Sequence, residues 1–145
     1  MRGRRMMIGG QPEEGGARIL PIRSSDDIVH VRREVRTCAV QAGLSLVEQT
    51  KIVTAASELA RNTLDHGGGG QVAIEVAVRG VRRGVRLTFE DQGPGIADVQ
   101  LALRDGYSTG SGLGLGLGGA KRLSNEFSIE SRPFGGTRVV IARWK

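Results

Sequence analysis

Apolar residues recur with two different periods along the chain, and the change of period marks its organisation. In "SSDDIVHVRREVRTCAVQAG", Ile28, Val31, Val35 and Ala39 keep the spacing of one helix face. Ser and Asp residues precede them as capping candidates, and Gly43 ends the run. "SLVEQTKIVTAASELARNTLDHGGGG" repeats the pattern through Ile52, Ala56, Leu59 and Thr63. Ser45 and Glu48 have the spacing of a capping box, and the glycines at 67–70 stop this second helix. Beyond them the period drops to two. "QVAIEVAV" and "VRLTFE" alternate, and "RGVRRG" joins them as an antiparallel hairpin.

The flanks follow the same logic. "ARILPIR" is a short apolar segment, placed at a sheet edge because Pro21 removes a ladder donor. "DQGPGIAD" is a loop, since Gly93, Pro94 and Gly95 exclude regular structure. A short helix is predicted near 98–104, and another emerges from "GSGLGLGLGGAKRL" and runs through Leu123. "FSIES" and "TRVVIARW" form a closing hairpin around "RPFGG". Residues 1–16 show no period and are expected to be a disordered tail, leaving one domain over 17–145. The predicted fold is an α/β (α+β) two-layer sandwich, a mixed, mostly antiparallel sheet with helices on one face.

Composition narrows the function classes. Aromatics make up only 3% of the 145 residues, so the core must rest on Val, Ile, Leu and Ala. The net charge is +6, but the arginines are scattered among acids and no aromatic platform accompanies them. That favours solvated faces or an acidic partner surface and argues against nucleic acid. No apolar run approaches the roughly 18 residues of a membrane span. The opening "MRGRRMMIGG" lacks the apolar stretch of a signal peptide. A cytoplasmic protein is the expectation. The single Cys38 suits a reducing compartment and reads as a small buried apolar side chain.

The glycine segment 110–123 raises the question of chemistry. "GLGLGG" formally matches G-x-G-x-x-G, but "RDGYSTGS" before it is no strand, which excludes a dinucleotide fingerprint. "GGAKR" fails the P-loop pattern. Leu113, Leu115 and Leu117 are out of place in a solvated linker. Two readings remain: a glycine loop running into a helix N-terminus, where free N–H groups favour an anion, or a glycine-rich helix packed tightly on a neighbour. Lys121 and Arg122 would add positive charge to the first.

Two further constellations bear on that choice. Glu58, Asn62 and His66 lie along one face of the second helix, away from its apolar stripe. A carboxylate and a carboxamide one turn apart suit magnesium–phosphate chemistry, because magnesium keeps waters and needs few protein ligands besides phosphate. Taken alone, the pair is also what an ordinary polar face carries. Asp91, at a strand end beside two glycines, is an acceptor-only side chain suited to the exocyclic amine of adenine. It equally fits a turn-capping aspartate.

Together, "SELARNTLDHG", "EDQGPGI" and "GSGLGLGLGGAKRL" resemble the N-box and the two glycine boxes of the GHKL (Bergerat-fold) ATPase superfamily, over residues 17–145. Neither a phosphoacceptor helical hairpin nor a transducer domain is expected. It is most similar to the stand-alone anti-sigma-factor serine/threonine kinases, and within them to the stressosome switch kinases. The resemblance implies ATP and Mg2+ as cofactors. It implies Asn62 as magnesium ligand, Glu58 as the base that activates the attacking hydroxyl, and Asp91 as adenine acceptor in a pocket shaped by Gly93 and Gly95. Gly112, Gly114 and Gly116 would bring amides to the phosphates, Thr137 would help bind adenine through water, and 105–111 would form a short lid. His66 is expected to serve only the helix end.

The implied reaction is transfer of the ATP γ-phosphoryl group to a serine or threonine of a STAS-domain antagonist or scaffold. The released kinase would then bind and activate a serine phosphatase in general stress signalling. An anti-sigma factor that sequesters a sigma factor uses the same fold and reaction. A non-catalytic ATP-driven binding module is a third reading, against which Glu58 argues.

Overall fold

The computed structural model describes residues 16–96, 99–104 and 116–145. In chain order the elements are β1 (Arg18–Ile22), α1 (Ser25–Gln41), α2 (Leu46–Asp65), β2 (Gly70–Arg79), β3 (Arg82–Asp91), α3 (Val99–Ala102), α4 (Gly116–Arg122), β4 (Glu126–Arg132) and β5 (Gly136–Trp144). The predicted tail falls on residues 1–16, of which 1–15 lie outside the described residues.

The strands form one sheet in the order β1-β2-β3-β5-β4, and every neighbouring pair is antiparallel. The sheet is thus not mixed. One helix between strands carries the chain back to its starting end and gives a parallel pair. Here two antiparallel helices separate β1 from β2, so the chain enters β2 at the end where it left β1. Pro21 lies on an edge strand, as its missing donor requires.

The period-two segments place alternate residues on opposite faces. Val72, Ile74 and Val76 of β2, Val85, Leu87 and Phe89 of β3, and Val139 and Ile141 of β5 join one core with both long helices. The stripe Ile28, Val31, Val35 and Ala39 of α1 and Ile52, Ala56 and Leu59 of α2 supply the other side. The opposite sheet face carries cross-strand ion pairs, Arg86 with Glu75 at 3.4 Å and Arg138 with Glu90 at 3.3 Å. This is the two-layer arrangement expected. Cys38 is buried in the core, and that burial pushes its thiol pKa up.

Local chemistry sets the element ends. Ser45 Oγ accepts from Glu48 N–H at 3.2 Å, and the Glu48 carboxylate accepts from Ser45 N–H at 2.8 Å, completing the capping box. These hydrogen bonds hold the Glu48 carboxyl below the usual carboxylate range. On α1, Ser24 makes no side-chain cap; Asp27 instead accepts from Arg23 N–H at 2.8 Å. The β2–β3 turn is tighter than "RGVRRG" suggested. Gly80, at φ 63°, permits a two-residue connection, and Arg82 and Arg83 belong to the ladder.

At this distal end, away from the C-terminus of α2, a second small cluster holds Ala77, Ala142 and Trp144. Arg79 lies over the indole, 4.6 Å from its centroid. Trp144 Nε1 donates to Glu126 at 3.0 Å, and Arg79 pairs with the same carboxylate. That pairing holds the Glu126 carboxyl below its ordinary pKa. Among the described residues no helix is long and apolar enough to cross a membrane.

Candidate nucleotide site

The C-terminus of α2, the ends of β2 and β3 and the β4–β5 hairpin meet at the other end of the sheet. Glu58 and Asn62 are half-buried on α2, while Leu59, Ala60 and Thr63 beside them are fully in the core. One face of the helix is thus anchored and the other left polar. The Asn62 carbonyl closes the helix, accepting from His66 N–H at 2.9 Å and Gly67 N–H at 3.3 Å. His66 is the exposed C-cap residue. Gly68 (φ 74°) and Gly69 (φ 108°) reverse the chain into β2 through left-handed conformations that side chains disfavour.

Asp91 ends β3, paired with Gly70 on one side and with Thr137 on the other. Its Oδ1 accepts from Gly93 N–H at 2.8 Å. A Cβ on Gly67 would lie 2.6 Å from Asp91 Oδ2, and one on Gly93 would lie 2.7 Å from the Gly67 Cα. Three backbones therefore meet around this carboxylate with no room for another side chain. The hydrogen bond to Gly93 is that of a turn-capping aspartate. A carboxylate has about four acceptor sites, so capping leaves capacity for an amine donor.

The loop after Asp91 is fixed to the β4–β5 hairpin. Ile96 N–H donates to Ser131 Oγ at 2.6 Å, and Ser131 Oγ lies 3.1 Å from Thr137 Oγ1. Phe134 N–H donates to the Pro94 carbonyl at 2.9 Å. Gly95 (φ 82°) abuts the Arg132 carbonyl, and Gly136 (φ 86°) abuts the carbonyl of Asp91. Asp91, Gly93, Gly95 and Thr137 are thereby brought together. Gly67, Ser131 and Gly136 complete the same corner and were not singled out from the sequence. Four consecutive glycines, where one suffices to stop a helix, were the available signal for Gly67.

Gly112, Gly114 and the whole of the expected lid, 105–111, lie outside the described residues. Gly116, at φ 52°, begins α4, whose residues Leu117, Gly118, Gly119 and Ala120 are buried. A Cβ on Gly118 would lie 2.5 Å from the Leu103 carbonyl oxygen. From Gly116 onward, then, the glycine segment is a tightly packed helix. Lys121 and Arg122 occupy the last turn of α4 and are exposed. Among the described residues no cluster of three or more His, Cys, Asp or Glu side chains is placed to hold a metal ion. A single half-buried carboxamide fits magnesium that arrives with phosphate oxygens and its own waters.

Residues 47–145 match the family described as histidine kinase-, DNA gyrase B- and HSP90-like ATPases. The chain belongs to this family. It is 47% identical over 119 residues to the serine/threonine-protein kinase RsbT of Bacillus subtilis, covering 81% of this chain and 89% of that one. It is 29% identical over 128 residues to the anti-sigma F factor of Clostridium kluyveri, covering 84% and 89%. The crystal structure of the RsbU and RsbW domains of Rv1364c from Mycobacterium tuberculosis superposes with a TM-score of 0.62 at 22% identity, over 89% of this chain and 33% of that longer one. The superfamily and fold expected from the three motifs are borne out. So is the enzyme class, an ATP-dependent protein serine/threonine kinase, at the level of family.

Proposed function

We propose that this chain is a switch kinase that uses Mg-ATP to phosphorylate a serine or threonine of a STAS-domain antagonist or scaffold. Once released from that partner, it activates a serine phosphatase. The observation that carries this reading is the corner where Gly67, just past the C-terminus of α2, meets Asp91, in a chain 47% identical to a serine/threonine-protein kinase.

Each residue has a separate task in this reading. Asp91 keeps one carboxylate oxygen on Gly93 and offers the other to the adenine amine. Thr137, its cross-strand neighbour, assists through water. Gly93 and Gly95 shape the adenine side, and Gly112, Gly114 and Gly116 present amides to the phosphates. Asn62 supplies a neutral oxygen to the metal. Bound magnesium would neutralise phosphate charge as the γ-phosphoryl group moves. Glu58 takes the proton from the incoming hydroxyl, whose oxygen bonds to phosphorus as the bond to the β-phosphate oxygen breaks and ADP leaves.

The test separates the two helix residues. Asn62→Ala should weaken magnesium-dependent ATP binding and abolish transfer with it. Glu58→Ala should still bind ATP and partner, while phosphorylation falls about 10²–10⁴-fold, the usual share of a general base. It should then stay on its STAS partner in ATP, because the releasing event no longer occurs. Near wild-type phosphorylation by Glu58→Ala would show that Glu58 is not the base, whereas no transfer by the wild-type chain would restore the non-catalytic binding-module reading. The identity with anti-sigma F factors supports a second reading, a kinase that also sequesters a sigma factor. Co-purification with sigma in place of a STAS protein would favour it.

A further inference from the structure

The β4–β5 connection combines two unfavourable features that nothing among the described residues explains. Gly135 N–H donates to the Arg132 carbonyl at 2.9 Å, closing a turn with Pro133 and Phe134 at its centre. Proline fixes its own φ near about −65°, and Phe134 follows at φ 59°. That sequence of angles is a type II turn, whose second central position is ordinarily glycine. Phe134 is the one non-glycine residue with positive φ among the described residues, although glycine stands immediately after it. Its ring is also 91% exposed, in a chain where Phe89 and Trp144 are buried and Phe127 packs against the core.

The tip is nevertheless held firmly. Phe134 N–H is bonded to Pro94, and Gly95 packs on the Arg132 carbonyl, so the tip is part of the same structure as the loop after Asp91. The stem of the exposed Arg132 covers Gly135, where a Cβ would lie 3.0 Å from the Arg132 Cβ. No described carboxylate pairs with this guanidinium. A fixed aromatic knob with a cation at its base thus projects beside the nucleotide corner.

We propose that Phe134 is a docking anchor for the protein substrate. Its ring enters an apolar pocket on the partner, and Arg132 faces a carboxylate on that pocket's rim. This holds the partner beside the nucleotide corner. The proposal rests on the protein-kinase reading and names the surface that reading requires. The ring points into solvent. One side chain buries far less than a stable dimer needs, but transient signalling contacts are small and led by a few aromatic or arginine residues. A protein partner is therefore the occupant that fits.

Phe134→Gly is an unusually clean probe, because it removes the ring and relieves the turn together. It should melt at or above the wild-type temperature and bind ATP with unchanged affinity. With a purified STAS-domain protein as substrate, its KM and its dissociation constant should rise about tenfold or more, the scale of a lost hot spot, with kcat nearly unchanged. Phe134→Trp should restore both, and Arg132→Glu should weaken binding in a salt-dependent way. Wild-type KM and affinity in Phe134→Gly would overturn the anchor while leaving the kinase reading intact. If the wild-type chain binds the STAS protein but transfers no phosphate, the kinase reading falls and the same dissociation constants decide the anchor. A wild-type chain that neither binds nor phosphorylates it overturns both.

Discussion

The two ends of the sheet are built from the same strands by opposite means. At the distal end, large side chains close the structure: Trp144 lies under Arg79, and Glu126 accepts from both. Asn125 Oδ1 accepts from Trp144 N–H at 2.6 Å, and Ser45 and Glu48 cap α2. At the nucleotide end, closure comes from missing side chains. Gly67, Gly93, Gly95 and Gly136 let backbones touch around Asp91. Filling an end with bulk gives stability. Leaving backbone groups and one carboxylate at the other leaves polar atoms within reach of a ligand. The contrast teaches that the strands carry the load at one end so that the other can remain a site.

Substitutions that confuse the two ends test this division. The largest effect should come from Trp144→Ala, which removes a nearly fully buried ring and should cost about 3 kcal/mol or more of stability. If the ends are independent, chemical denaturation should register that loss while ATP affinity of the folded protein stays at wild type. Gly67→Val should do the reverse. Its Cβ displaces the Asp91 carboxylate, so nucleotide titration should detect little binding in a protein whose circular dichroism is near wild type. Normal ATP binding by this variant would mean that the corner is only packing.

Asp91→Ala is a milder change at the same place. It should weaken ATP binding by about 1–3 kcal/mol, the range for a hydrogen bond to a charged group, and discriminate less between adenine and other bases. Unchanged affinity in calorimetry would refute the adenine assignment. The smallest effect belongs to the distal cap. Glu48 has a lowered folded-state pKa, so its contribution is fully present above the unfolded-state value and is lost as pH falls through the folded one. Glu48→Gln should therefore lower the melting temperature slightly at neutral pH, and the difference from wild type should vanish in acid below the carboxylate range.

Most of the fold was legible because periodicity is a local property of the chain. Ile28 to Ala39 and Ile52 to Thr63 announced helix faces, and "QVAIEVAV" and "VRLTFE" announced strands. The capping box at Ser45 and Glu48 was readable for the same reason. Arg82 and Arg83 belong to the ladder but read as turn residues, because a solvent-facing ladder end has no apolar signal. The fully antiparallel sheet depends on how many helices intervene between β1 and β2, which is geometry over a long range. At the site, Asp91, Gly93, Gly95 and Thr137 were legible through motif resemblance. Gly67 and Gly136 were not, because a glycine needed for a contact with a distant strand looks the same in sequence as one needed for a turn. Phe134 was invisible for a related reason: an aromatic between Pro and Gly gives no hint that it must adopt positive φ.

The pairing of Asp91 with Thr137 also fixes when the pocket can exist. β2 and β3 meet through a two-residue turn and the two long helices are adjacent in sequence, so these pieces can form early and locally. β5 must return across the whole intervening stretch, glycine segment included, before it can join β3. Closing that loop costs chain entropy before any contact rewards it, which makes such pairings the slow part of folding. A half-folded chain with helices and hairpin in place therefore has the residues of the nucleotide corner but not the corner itself, and nucleotide binding reports the completed sheet.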